Sequence, residues 1–222
     1  YMDAVFYPNI YQHEEIFRQE GWSYKMDSLE DDLAYNGVVY NEMKGAFSSP
    51  EGVLDRVVLN TLFPDTSYAN ESGGDPEVIP ELTYEQFLDF HRRYYHPSNS
   101  YIYLYGNMDV AEKLRWMDEE YLSHYEEIEL DSTVKAQKPF EKPVEITKKY
   151  PISSAEPEED NTYLSYNLVV GDILDRKLYL AFDVLDYALL GAPGAPLKQA
   201  LIDAGIGKDI VGGYDSSTMQ PV

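Results

Sequence analysis

Residues 38–47, Val-Val-Tyr-Asn-Glu-Met-Lys-Gly-Ala-Phe, place one carboxylate among apolar and small side chains. Residues three and four apart are neighbours on a helix, so a helix here would carry one face made of positions 38, 42, 45 and 46. Glu42 lies in the middle of that face. Small residues let another segment approach closely, and a carboxylate that faces it needs a cation, a hydrogen-bond donor or a metal. Lys44 points to a different face, so we expect the partner of Glu42 to come from elsewhere, inside or outside this chain.

This stretch and its flanks resemble a known family. YNGVVYNEMKGAFSSPEGVL (35–54) and LFPDTSYANESGGDPEVIPELTYEQFLDFHRRYYHPSNSYIYLYGN (62–107) are similar to the pitrilysin/insulinase family of zinc metallopeptidases, and within it to the presequence-protease branch. Members of that branch degrade targeting peptides and other short, unstructured peptides. In the family, zinc is held by two histidines of an inverted His-x-x-Glu-His helix and by a downstream glutamate. Glu42 matches that third ligand.

The histidine motif itself is absent from this chain. The four histidines are His13, His91, His96 and His124, and none begins a His-x-x-Glu-His sequence. In the family that segment lies upstream of the position of Tyr1. We therefore expect no catalytic residue within these 222 residues. We expect an internal piece of a larger zinc enzyme that by itself binds no zinc and has no protease activity.

Composition limits the classes of function. The net charge is −23 and the pI about 4.3, which argues against nucleic-acid binding because phosphate contacts need a basic patch. The acidity could attract basic peptides, but a solvated acidic surface is the more common reason for it. There is no cysteine, no apolar run long enough to span a membrane and no signal peptide in these residues. Neither nucleic acid nor membrane is an expected partner.

The pattern of elements predicts an α+β chain. The resemblance implies pitrilysin-like mixed domains of helices and antiparallel sheet, represented by the latter part of one domain and the opening part of the next. Residues 1–125 would be the C-terminal part of the first peptidase domain. Residues 126–143 are polar and contain two prolines, which is typical of a linker. Residues 144–222 would begin a second, non-catalytic domain.

Cap and stop signals locate several helices. Pro50 is suited to a first helical position, Thr83 and Gln86 form a capping-box pattern, and Asp109 precedes another apolar-periodic stretch. Helical spacing continues from Leu178 to Leu189, and Pro196 opens a last helix. Aromatic and branched residues predict strands at 101–105, 144–150, 163–170 and 208–219.

The string Ser72, Gly73, Gly74, Asp75 is the second distinctive motif. Its two glycines permit left-handed backbone, and the proline after Asp75 fixes the exit of a tight turn. It either packs the helices around the Glu42 helix or contributes to a substrate cleft. Turn chemistry alone accounts for its composition, so we favour the packing role. His91 and His96, five residues apart, do not share a helix face and make a poor metal pair.

The function implied by the resemblance is zinc-dependent endopeptidase activity of the parent protein on short, unstructured peptides. Its partners would be peptide substrates and the remainder of its own chain, with artificial self-association of the isolated piece expected where sheet edges are cut. The alternative is a non-catalytic member of the same family that binds peptides or serves as a scaffold subunit. We expect a bacterial cytoplasm or an organelle matrix as the compartment.

Overall fold

The computed structural model describes all residues from Tyr1 to Val222. It is an α+β chain, as predicted, with eight α-helices and one two-stranded antiparallel sheet. No helix is long and apolar enough to span a membrane. The helices are α1 (Met2–Phe6), α2 (Glu14–Glu20), α3 (Val38–Ala46), α4 (Pro50–Leu62), α5 (Tyr84–Tyr94), α6 (Val110–Glu120), α7 (Arg176–Asp186) and α8 (Pro196–Asp203).

The sheet is a short hairpin that stands directly before α3. Strand β1 (Ser23–Lys25) pairs with β2 (Ala34–Asn36), with Tyr24 opposite Tyr35. These two rings stack at 5.5 Å, and Trp22 meets both of them edge-on. Cross-strand aromatic pairs of this kind stabilise antiparallel sheets. The sequence did not predict this hairpin, because strands of three residues are too short to show a clear alternation.

The chain divides into two compact units, and the first contains residues 1–49 and 71–133. Its core consists of side chains less than a tenth exposed, namely Phe6, Phe17, Met43, Ile79, Leu88, Met117 and Tyr121. Phe17 of α2 packs against Tyr84 and Phe87 of α5, at ring distances of 6.1 Å and 5.4 Å. The helix carrying Glu42 therefore belongs to an aromatic-rich unit.

The second unit contains residues 50–70 and 134–222. Its buried side chains include Val53, Phe63, Ala195 and Pro221. Helix α4 packs in this unit, so the units are not contiguous segments of sequence. The predicted division into 1–125, 126–143 and 144–222 concerns sequence domains and stays a prediction.

Most predicted helix boundaries agree with the structure. Helix α4 begins at Pro50, Asp109 accepts a hydrogen bond from the backbone of Glu112 at the start of α6, and α8 begins at Pro196. Helix α7 does not continue regularly to Leu189, because residues Tyr187–Gly191 form a π-helical turn before Ala192. Gly191 ends this turn, at the predicted stop.

The four predicted strands were wrong as sheet elements. Residues 101–105, 144–150, 163–170 and 208–219 lie in no sheet. A strand forms only where its backbone pairs with a neighbour, and residues 101–105 make no backbone–backbone hydrogen bond. Their side chains still alternate, since the Tyr103 and Tyr105 rings stack almost parallel at 6.5 Å. Strand-like composition alone therefore does not make residues 101–105 part of a sheet.

Candidate metal-ligand helix

A close backbone contact fixes the start of α3 and leaves no room for a side chain at position 37. Gly37, immediately before the helix, has a φ of +152° and is buried, and a Cβ added there would lie 2.2 Å from the carbonyl oxygen of Gly21. The Tyr40 N–H donates to that same oxygen at 3.3 Å. One turn further, the Asn41 side-chain amide donates to Asn36 at 3.0 Å. These contacts hold α3 against the end of α2 and against the hairpin.

One side chain anchors the middle of the helix. Met43 is the only buried residue of α3, with 8% of its surface exposed. Its thioether lies directly against Gly73, where an added Cβ would be 2.1 Å from the Met43 Sδ. Neighbouring Gly74 has a left-handed φ of +92° and turns the loop so that it meets Ile79. The loop 72–75 thus contacts α3 through Gly73, and its assignment to packing or to a substrate cleft stays a prediction.

The opposite side of α3 is open. Glu42, Gly45 and Ala46 are exposed, and Val38 is 51% exposed. A Cβ added at Gly45 meets nothing within 4 Å. The predicted face therefore exists, formed by the predicted residues, and nothing in the structure covers it.

Glu42 has no partner in this structure. Its carboxylate makes no hydrogen bond and no ion pair, and Lys44 makes none either. A glutamate in the middle of an isolated helix commonly pairs with a neighbour three or four residues away. The carboxylate is instead presented outward from a helix that is fixed at its start and at its centre, which suits one ligand of a site whose other ligands lie elsewhere.

The histidines already have partners or lie apart. The His91 Nε2–H donates to the Val5 carbonyl at 2.8 Å, so the Tyr11 hydroxyl donates to Nδ1 at 2.7 Å. The His96 Nδ1 accepts from the Ser98 backbone at 3.1 Å. No group of three or more histidine, cysteine, aspartate or glutamate side chains is close enough to hold a metal ion. His91 and His96 are therefore packing and capping residues in this structure.

The groups of this unit whose pKa values are shifted are mainly tyrosines. Burial raises the pKa of Tyr125 to about 12, and its ring packs against Phe6 at 5.6 Å and His96 at 5.1 Å. A hydrogen bond to Asp3 raises the pKa of Tyr121. Both groups belong to the packing of α1 and α6, and neither adjoins the exposed face of α3.

Comparison with known proteins supports the resemblance. Residues 81–221 match the family model described as the Peptidase M16 inactive domain. Over 99% of its length the chain is 56% identical to Protein HypA of Clostridium perfringens, and it covers 23% of that protein. It is 40% identical over its whole length to Presequence protease 1, chloroplastic/mitochondrial, of Arabidopsis thaliana, and covers 21% of it.

A third relative extends the similarity to animals. The chain is 37% identical to the mitochondrial presequence protease of Danio rerio over 99% of its own length and 22% of that protein. It thus spans about a fifth of the length of these relatives. The matched family model covers well over half of the chain. The chain belongs to the M16 peptidase family, and its matched region is of the type that the family model describes as inactive.

Proposed function

We propose that this chain is the part of a zinc-dependent metalloendopeptidase that supplies the third metal ligand, Glu42. The observation that carries the proposal is the exposed, unpartnered carboxylate of Glu42 on the open face of α3. The position matches the glutamate ligand in the motif that the chain resembles. Two of the relatives above are named as presequence proteases, which favours a peptidase over an unrelated binding protein.

The residues present fit one ligand of a zinc site. Catalytic zinc takes three protein ligands from histidine nitrogen and carboxylate oxygen, plus water. Glu42 provides the oxygen, and the small residues at 45 and 46 leave room for a second helix to bring histidines close. When bound, zinc would polarise the scissile carbonyl and lower the pKa of the attacking water. The task of this chain is to hold the Glu42 carboxylate in place.

We infer that the substrates are short, unstructured peptides. The basis is the similarity to presequence proteases. The chain's net charge of −23 would also favour peptides rich in lysine and arginine, although this acidity serves solubility equally well. A bacterial cytoplasm or an organelle matrix is the proposed compartment.

Peptide cleavage by the full-length polypeptide tests the proposal. We expect cleavage of a short, unstructured peptide that is lost with a chelator and restored by added zinc. Folded proteins of similar composition should resist cleavage.

The second candidate is a non-catalytic peptide-binding or scaffold protein of the same family. It is favoured by the match of residues 81–221 to a model described as inactive. Peptide binding without cleavage, in a full-length protein that holds no zinc, would establish this alternative and overturn the proposal.

A further inference from the structure

We propose that the loop 72–75 is a positioning element for Glu42, acting through Met43. The inference rests on the proposed function, because it concerns how the metal-ligand carboxylate is aimed. It assigns the loop to the back of the ligand helix and not to the substrate cleft.

Few contacts hold the second half of α3. The helix has nine residues, and Met43 is the only one of them that is buried. The contacts at Gly37 and Tyr40 and the hydrogen bond from Asn41 to Asn36 hold the first turn of the helix, and Met43 is the only buried residue after it. The support of the second half of the helix therefore comes from the Met43 side chain.

The position of Met43 is set by the absence of a side chain at Gly73. Three of its atoms approach the place that a Cβ would occupy, with Sδ at 2.1 Å, Cε at 3.0 Å and Cγ at 3.2 Å. The thioether therefore lies flat over the Gly73 backbone. Any side chain at Gly73 would force the Met43 thioether out of this position.

Glu42 and Met43 are consecutive on the helix, about 100° apart around its axis. A movement of the helix that carries Met43 away from the loop therefore carries the Glu42 carboxylate with it. A metal ligand tolerates little misplacement, and residues that orient ligands commonly change metal affinity 10–100-fold when they are replaced. Gly73 would then affect zinc binding without contacting the metal.

The loop has the local structure needed for this role. The Gly74 N–H donates to the Glu71 carbonyl at 3.1 Å, and the Val78 and Ile79 N–H groups both donate to the Asp75 carbonyl at 2.9 Å and 2.8 Å. Ile79 is 4% exposed and lies beneath Gly74. The loop is hydrogen-bonded on both sides of the glycines, so it can act as a fixed surface for Met43.

The test is a double-mutant cycle on zinc affinity in the full-length polypeptide. Gly73→Ala should weaken zinc binding about tenfold, within the range for residues that orient ligands. Met43→Ala removes the thioether that collides with the new methyl. The double variant Gly73→Ala/Met43→Ala should therefore lose much less affinity than the sum of the two single changes predicts.

The matched control is Gly213→Ala, where an added Cβ meets nothing within 4 Å and the backbone is not left-handed. Its zinc affinity should equal that of the wild type. Hydrogen exchange of the peptide containing residues 38–47, measured without zinc, should show a folded α3 in every variant. A general loss of folding would alter this exchange, whereas a displaced Glu42 carboxylate would alter only zinc affinity.

Glu42→Gln separates the two possible failures. If it leaves zinc affinity unchanged, the proposed ligand role is wrong and the positioning inference falls with it. If it weakens zinc binding while Gly73→Ala does not, the ligand role stands and only the positioning inference is overturned. Additive effects of Gly73→Ala and Met43→Ala would also contradict it.

Discussion

At the residue scale, Gly37 shows most directly how a single position shapes the candidate site. Replacing Gly37 with alanine should lower the free energy of unfolding by about 2 kcal/mol or more, because the backbone is left-handed and the new Cβ would lie 2.2 Å from the Gly21 carbonyl oxygen. Denaturant unfolding measures this change. Gly213→Ala is the matched control, and an equal effect of both substitutions would contradict the account.

Tyr125 gives a second residue-scale prediction, which concerns pH. Burial raises its pKa from 10.0 to about 12, so the ionised form is disfavoured in the folded protein. Its contribution to stability is complete below pH 10 and is lost as the pH rises through about 12. In an alkaline absorbance titration, Tyr125→Phe should remove a tyrosinate signal at the high-pH end. Loss of a signal near pH 10 would contradict the burial.

The sequence predicted that Glu42 lies on one helix face with Val38, Gly45 and Ala46, because helical spacing determines which residues share a side. It did not predict that Met43 rests on Gly73. That contact joins a flexible thioether to a loop thirty residues later, and no periodicity relates the two. The fixed point at Gly37 was also missed, because a close approach between two backbones is visible only once the chain has folded.

At the scale of elements, the capping box of α5 is the clearest case of local sequence determining structure. The Thr83 hydroxyl accepts from the Gln86 N–H at 3.2 Å, and the Gln86 side chain accepts from the Thr83 N–H at 2.8 Å. Thr83→Ala should cost about 1 kcal/mol of stability, whereas Thr83→Ser should cost little because the hydroxyl remains. Thermal unfolding compares them, and equal losses would argue against a capping role.

Helices were predicted more accurately than strands for a physical reason. The caps and periodicity of a helix lie within a few residues of each other. The local sequence around Pro50, Thr83 and Asp109 is therefore enough to predict a helix start. A strand depends on a partner elsewhere. Residues 101–105 have the composition of a strand and stack alternate tyrosines, yet they form no sheet here. The hairpin that does form was missed because its strands are only three residues long.

At the scale of the whole chain, Gln137 ties together residues far apart in sequence. It is 6% exposed within an otherwise exposed stretch. Its side-chain oxygen accepts from the Asp65 N–H at 2.9 Å, and its amide donates to the Asp65 carboxylate at 2.8 Å. Its backbone pairs in the same two-point manner with the Gln220 side chain. This one residue therefore joins the turn after α4, the predicted linker and the last residues of the second unit.

Gln137→Ala should lower stability by about 1–3 kcal/mol, because it leaves the Asp65 groups without their partners. Limited proteolysis should also become faster within residues 126–149. The matched control is Gln12→Ala, which removes an exposed glutamine side chain that makes no hydrogen bond. Unchanged proteolysis of the Gln137 variant would show that this residue does not anchor the linker.

Zinc stoichiometry of the full-length polypeptide tests whether Glu42 is a zinc ligand. The comparison is between wild type, Glu42→Gln and Glu15→Gln, since Glu15 is also an exposed helical glutamate without an ion pair. We expect one zinc per polypeptide in the wild type and in Glu15→Gln, and a large loss of zinc in Glu42→Gln. Equal zinc content in all three proteins, or none in the wild type, would contradict it.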